Sequence, residues 1–212
     1  MKLYLASASP RRKALLEQLS LSFDVCPVDA DEGILAEEKG ACYVERLAKL
    51  KANMALANLR DDGNIGTGYS YVVGSDTSVV IEDIILGKPL DQADFTAMML
   101  RLSGASHEVL TGICVARYDA KTENIVERSQ VVSTAVTFKR LSAAEIEAYW
   151  NSGEPADKAG GYGIQGLGAV LVDTINGSYS NVVGLPVSEL KDLLVELGFD
   201  FWGSLVIGDR SK

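Results

Sequence analysis

YVVGSDTSVVIEDIILGKP, residues 71–89, carries the strongest strand signal in the chain and, in its middle, an aspartate. Tyr71–Val73 and Ser78–Ile81 are rich in β-branched residues and read as strands on either side of Gly74–Ser75–Asp76–Thr77. A turn at Glu82–Asp83 leads to a third short strand, Ile84–Leu86, and the break Gly87–Lys88–Pro89. An aspartate in such apolar company is costly to bury unless a metal, a cation or several donors pair with it. Gly74 beside it permits close backbone approach. Taken by itself, Asp76 reads equally well as a turn residue.

Outward from this segment, strands and helices are interspersed. Lys2–Ala6 reads as a strand, and Pro10–Leu19 as a helix with Ser9 at its N-cap and Pro10 at its first position. Residues 41–59 place Val44, Leu47, Ala48, Ala52 and Ala55 near one helical face. Downstream come a helix over 93–102, strands over 108–117 and 131–138, and a capping box at Ser142–Glu145 opening a helix to Trp150. A polar, Gly-rich loop over 151–168, a strand over 169–175 and a helix over 187–197 follow, and the tail from Gly198 carries little signal. No repeat or linker interrupts the order, so the expectation is a single α/β domain over residues 1–212 with a mixed sheet.

Composition narrows the function. The 212 residues are 47% hydrophobic and 23% charged, enough for a sizeable core. The net charge of −9, with no basic run, argues against a nucleic acid polymer as partner, and any anion site must be concentrated in a pocket. Cys26, Cys42 and Cys114 have no metal or disulfide spacing and read as buried free thiols. The N-terminal apolar run is too short for a signal peptide, and no stretch approaches the roughly 20 apolar residues that cross a bilayer, so a cytoplasmic protein without membrane contact is expected.

Ser7–Ala8–Ser9–Pro10–Arg11–Arg12 sits between a strand and a helix. A helix N-terminus favours anions, so two arginines in its first turn are misplaced for stability by roughly 0.3–1 kcal/mol each, unless a phosphate arrives. Glu32, in the acidic stretch Asp29–Glu32, offers a second carboxylate that could share a divalent ion with Asp76. Lys51 falls within the apolar stripe of its helix, and Lys88 lies at the end of a strand. Two carboxylates, two lysines and two arginines are the parts of metal-assisted phosphoryl chemistry. Gly161–Gly166 spells GxGxxG but lacks the preceding strand and following helix of a dinucleotide site, and no P-loop string occurs. His107, the sole histidine, reads as a structural hydrogen-bonding group, which weakens a serine-hydrolase mechanism at Ser7 or Ser9.

Four segments, LASASPRR at 5–12, GSDTSVVIEDIILGKP at 74–89, LSGASHEVLTG at 102–112 and SGEPADKAGGYGIQG at 152–166, with SNVVGLP at 180–186, together resemble the Maf-type nucleotide pyrophosphatases. The resemblance implies a two-lobed fold with an elongated mixed sheet flanked by helices, an active site in the cleft between lobes, and often a homodimer. It implies hydrolysis of a nucleoside triphosphate to the monophosphate and pyrophosphate with a divalent cation (Mg, Mn or Co). By position, Asp76 matches the proton acceptor and metal-binding carboxylate, with Glu32 as its partner. Ser7, Arg11, Arg12, Lys51 and Lys88 match phosphate-contacting positions. Arg11, Thr77 and Gln165 match the positions that separate the branches, and are like the branch acting on dTTP and UTP. Rival uses are the same chemistry on 7-methyl-GTP, CTP or a modified pyrimidine, and a nucleotide-sensing regulator of septum formation with incidental turnover.

Overall fold

The computed structural model describes residues 1–206; the end of the tail, 207–212, lies outside the described residues. Strands β1 (Lys2–Leu5), β2 (Asp24–Val25), β3 (Tyr69–Ile81), β4 (Ile84–Leu86), β5 (Ser106–Asp119), β6 (Asn124–Phe138) and β7 (Val172–Asn176) form one seven-stranded sheet, ordered β2-β1-β3-β5-β6-β7 with β4 also on β3. Helices α1 (Pro10–Gln18), α2 (Gly40–Asp61), α3 (Gln92–Leu102), α4 (Ala143–Asn151), α5 (Tyr179–Val183) and α6 (Val187–Glu196) flank it. β1 runs parallel to β2 and β3, while β4, β5, β6 and β7 join antiparallel. The expected mixed α/β sheet is present.

Residues 71–81 form one strand rather than two separated by a turn. Gly74 does not break β3, because it is the point where α2 crosses the sheet: a Cβ there would lie 2.2 Å from the Ala48 carbonyl oxygen. Gly112 on β5 does the same under Val44, again at 2.2 Å. The two glycines let α2 lie directly on the backbone of the sheet.

Side chains alternate along β3, and this alternation divides the interior. Val72 and Val80 face α2, where Ala48, Ala52 and Ala55 pack with Val72, and Val44 and Leu47 with Val80. Tyr71 and Val73 face the opposite side with α1 and α6, around Leu16, Leu190 and Leu194. Val79 and Ile81 share that side but belong to a second cluster with Phe95, Met99 and Ile146 of α3 and α4. Two apolar lobes therefore sit on one face of the sheet, and the polar residues Ser75, Thr77 and Thr111 lie between them.

Other boundaries moved for identifiable reasons. β6 begins at Asn124 instead of Val131, since polar residues pair with β5 while their side chains stay in solvent. The strand expected over 169–175 begins at Val172, after a 3₁₀ turn at Leu167–Leu171. Short β2 and α5 carried too little periodicity to be read. The tail is not empty, because Phe199 and Phe201 enter the core. Of the three thiols only Cys114 is buried; Cys26 is half-buried and Cys42 exposed.

Candidate active site

β5 pairs with β3 along nearly its whole length, but the other edge of β3 is shared. β1 covers Ser70–Val73 and β4 covers Val79–Ile81, so among the described residues no strand pairs there with Gly74–Ser78. A cavity of ≈ 630 Å³ opens at this notch. All the site residues named from the sequence line it, including Lys88 from the turn after β4 and Gln165 from the Gly-rich loop. Because the cavity wraps around an unpaired edge, consecutive residues Asp76 and Thr77 reach it from opposite faces of the sheet.

On the α2 face, Lys51 donates to Asp76 Oδ1 (2.7 Å) and to Glu32 Oε1 (2.6 Å). Asp76 is only 7% exposed, so this cation is what makes its charge tolerable. Gly112 lies directly opposite Asp76 in the β3–β5 register, where a larger residue would lift α2 and carry Lys51 away. Glu32 sits on an irregular segment that α2 holds in place: Tyr43 Oη donates to the Glu32 carbonyl (2.9 Å) and Arg46 to the Gly33 carbonyl (2.9 Å). Arg46 also grips both oxygens of Glu38. The two carboxylates are pushed apart in acidity. Burial raises the Asp76 pKa, against the pull of Lys51 and Arg12. Burial also lifts Glu32, but the Lys51 hydrogen bond and neighbouring cations outweigh it and the net shift is downward.

On the opposite face, Arg12 projects from the first turn of α1 under the Ser9 cap. Its guanidinium donates to the Gly184 carbonyl (2.8 Å), Ser7 Oγ (3.2 Å) and Thr77 Oγ1 (3.2 Å). Thr111 Oγ1 donates to the Asn181 carbonyl (3.0 Å), so the 2.9 Å contact between Thr77 and Thr111 takes its proton from Thr77. Thr77 thus supports Arg12 and ties it to the seam between the lobes. Arg11 points elsewhere, to Asp157 at 3.4 Å on the 3₁₀ turn Glu154–Asp157. Ser7 Oγ accepts from Ser9 N–H and Arg12, and neither serine meets a base among the described residues. His107 hydrogen-bonds elsewhere: it is buried, its Nε2 lies 2.8 Å from Tyr162 Oη, and burial pulls its pKa down to about 4.

The profile of the Maf-like protein family matches residues 2–197. The chain belongs to the Maf family. It is 54% identical over 191 residues to the dTTP/UTP pyrophosphatase of Pseudoalteromonas translucida, covering 90% of this chain and 94% of that protein. Identity to the dTTP/UTP pyrophosphatase of Colwellia psychrerythraea is 49% over 198 residues (93% and 89%), and to that of Vibrio cholerae 48% over 193 residues (91% and 96%).

The donor set of this Maf protein suits a hard divalent cation. Lys51 takes one oxygen from each of Asp76 and Glu32, which leaves a second oxygen on each for a metal. Among the described residues no group of three or more His, Cys, Asp or Glu gathers as a ready cage. Two carboxylates completed by water and phosphate oxygens are how magnesium is commonly held. Tyr43 and Arg46, which fix the Glu32 segment, were missed from the sequence; their spacing on α2 with Lys51 is the signal that one helix serves the whole acidic loop.

Proposed function

We propose that this protein hydrolyses dTTP and UTP to the nucleoside monophosphate and pyrophosphate. The observation that carries this reading is the placement of Asp76, Lys51 and Glu32 on one side of an open strand edge and Arg12, at a helix N-terminus, on the other. A triphosphate in the notch would meet Arg12 on one face and, on the other, two carboxylates that share Lys51 and could hold a divalent ion against the phosphates. In the relatives named above the activity on dTTP and UTP is part of their names.

In this proposal Asp76 accepts a proton from water, the water oxygen bonds to phosphorus, and the bond between the α- and β-phosphates breaks with its electrons leaving on pyrophosphate oxygen. Asp76 suits the task because burial brings its pKa closer to neutrality than that of an ordinary carboxylate. Arg12, Lys88 and Arg11 stabilise the charge that accumulates on the phosphates, with Ser7 beside Arg12. Bound by Asp76 and Glu32, a divalent ion (Mg, Mn or Co) would neutralise phosphate oxygens and acidify a water. Gln165 offers an amide donor and acceptor to a uracil or thymine edge. No helix among the described residues is long and apolar enough to cross a membrane, and we place the enzyme in the cytoplasm, as a single domain free of nucleic acid polymers and able to pair as a homodimer. Pyrophosphate release across a panel of nucleoside triphosphates, with and without added divalent ion, tests the assignment. Fast metal-dependent release from UTP and dTTP is expected; metal-independent release, or none above background, would overturn it.

A further inference from the structure

The loop carrying Gln165 belongs to no sheet or α-helix, yet it is pinned at both ends by one small assembly. Glu154 Oε1 accepts from Tyr149 Oη (2.8 Å) and Gly168 N–H (3.0 Å), and Oε2 from Leu167 N–H (2.7 Å). Tyr149 Oη in turn accepts from Gly163 N–H (3.2 Å). The peptide from Gly163 to Gly168 is therefore folded around a carboxylate and a phenol, with Gln165 at its outer turn. There is no spare room: a Cβ at Gly166 would lie 2.2 Å from Glu154 Oε2, and one at Gly168 would lie 2.6 Å from Tyr149 Oη. These contacts explain the GxGxxG string, whose last glycine serves the close approach to Glu154 and not a dinucleotide.

Burial pulls the Glu154 carboxyl up, but the backbone and tyrosine donors outweigh it and the net shift is downward, so the anion that holds the loop persists at neutral pH. Glu154 and Tyr149 do not line the cavity, whereas Gly163, Ile164 and Gln165 do. Building on the pyrimidine preference proposed above, we infer that Glu154, together with Tyr149, is a positioning residue for base selection: it fixes the loop that presents Gln165 without touching substrate.

The test compares Glu154→Gln and Tyr149→Phe with the wild-type enzyme in two measurements. Kinetics on UTP and ATP should show kcat/KM for UTP falling about tenfold in Glu154→Gln, mainly through KM, while ATP loses clearly less, so that the UTP/ATP ratio collapses. Amide exchange at Leu167 and Gly168 should accelerate in Glu154→Gln, whereas Tyr149→Phe, which keeps the carboxylate, should accelerate mainly Gly163 and give a smaller loss of ratio. Equal losses on UTP and ATP, or an unchanged ratio despite faster exchange, would overturn the proposal. If Glu154→Gln fails to fold, Tyr149→Phe and the wild-type protection of Leu167 and Gly168 decide it. A wild-type enzyme preferring another base would refute the pyrimidine reading alone, with the ratio then taken for that base; a wild-type enzyme without base preference would overturn both.

Discussion

The two walls of the cavity are built in different ways. The wall with Asp76 is regular structure: a strand paired on one edge along its length, and a helix lowered onto it at Gly74 and Gly112. Its polar groups are charged, and they answer one another only in part. The wall with Gln165 has no ladder at all, and Glu154 and Tyr149 hold it through its backbone amides. Asp76 and Lys51, proposed to serve the reaction common to every nucleotide, stand on the stiff wall. The group proposed for the base, Gln165, stands on the wall held only by Glu154 and Tyr149.

The largest effect should come from breaking the stiff wall's charge. Asp76→Asn is expected to lower kcat by about 10²–10⁴-fold, the range of a lost general base. Because the folded-state pKa of Asp76 is raised, its ionisation costs the folded state stability as pH climbs through that interval, so the Asn variant should melt no earlier at neutral pH. Calorimetry beside steady-state kinetics checks both. The same shift places the acid limb of kcat/KM above the usual carboxylate value of 3.8, and Lys51→Met should move the limb to still higher pH.

The irregular wall rests on a buttress whose strength depends on pH. His107 binds no proton in the fold until about pH 4, whereas an unfolded histidine takes one near 6.5. Stability from this group is complete above pH 6.5 and falls as pH drops towards 4, by up to about 3 kcal/mol. His107→Phe should abolish that part of the pH dependence in denaturant titrations, while losing the hydrogen bond to Tyr162. Gln165→Glu should reduce the preference for UTP over purine nucleotides about tenfold, since a wrong group facing a base edge leaves buried polar atoms unpaired. Equal kcat/KM on UTP and ATP in the wild type would remove the contrast between the walls.

The smallest effect is expected at Arg11. Removing it relieves an unfavourable charge at the start of α1 but loses an exposed ion pair with Asp157, and each is worth under about 1 kcal/mol. Arg11→Ala should shift the melting temperature little in either direction while raising KM for the triphosphate. A large loss of stability would make Arg11 a structural strap across the cavity.

The same contrast explains what the sequence could tell. Asp76, Lys51 and Arg12 were legible because each breaks a local rule: a charge in a strand, a charge in an apolar stripe, a cation at a helix start. Their being on two faces of one strand was not legible, since it depends on β1 and β4 leaving Gly74–Ser78 uncovered, a matter of long-range pairing. The close approach expected at Gly74 is what the structure shows, with α2 as the approaching backbone, but β3 runs unbroken from Tyr69 to Ile81 because Gly74–Thr77 stay paired with β5, again a matter of long-range pairing. Glu154 drew no notice because a carboxylate just after a helix is ordinary, and only the folded loop shows its oxygens filled.

The close seating of α2 on Gly74 and Gly112 has a consequence for anyone retuning this enzyme. A methyl group at either position would have to displace helix backbone at 2.2 Å, so the smallest change there is transmitted to Lys51 and, through it, to both carboxylates. The two glycines therefore act as the datum from which Lys51, Asp76 and Glu32 are gauged. A mutational library aimed at new nucleotides should keep them fixed and spend its diversity at Gln165, an exposed residue that lines the cavity far along the chain from both glycines.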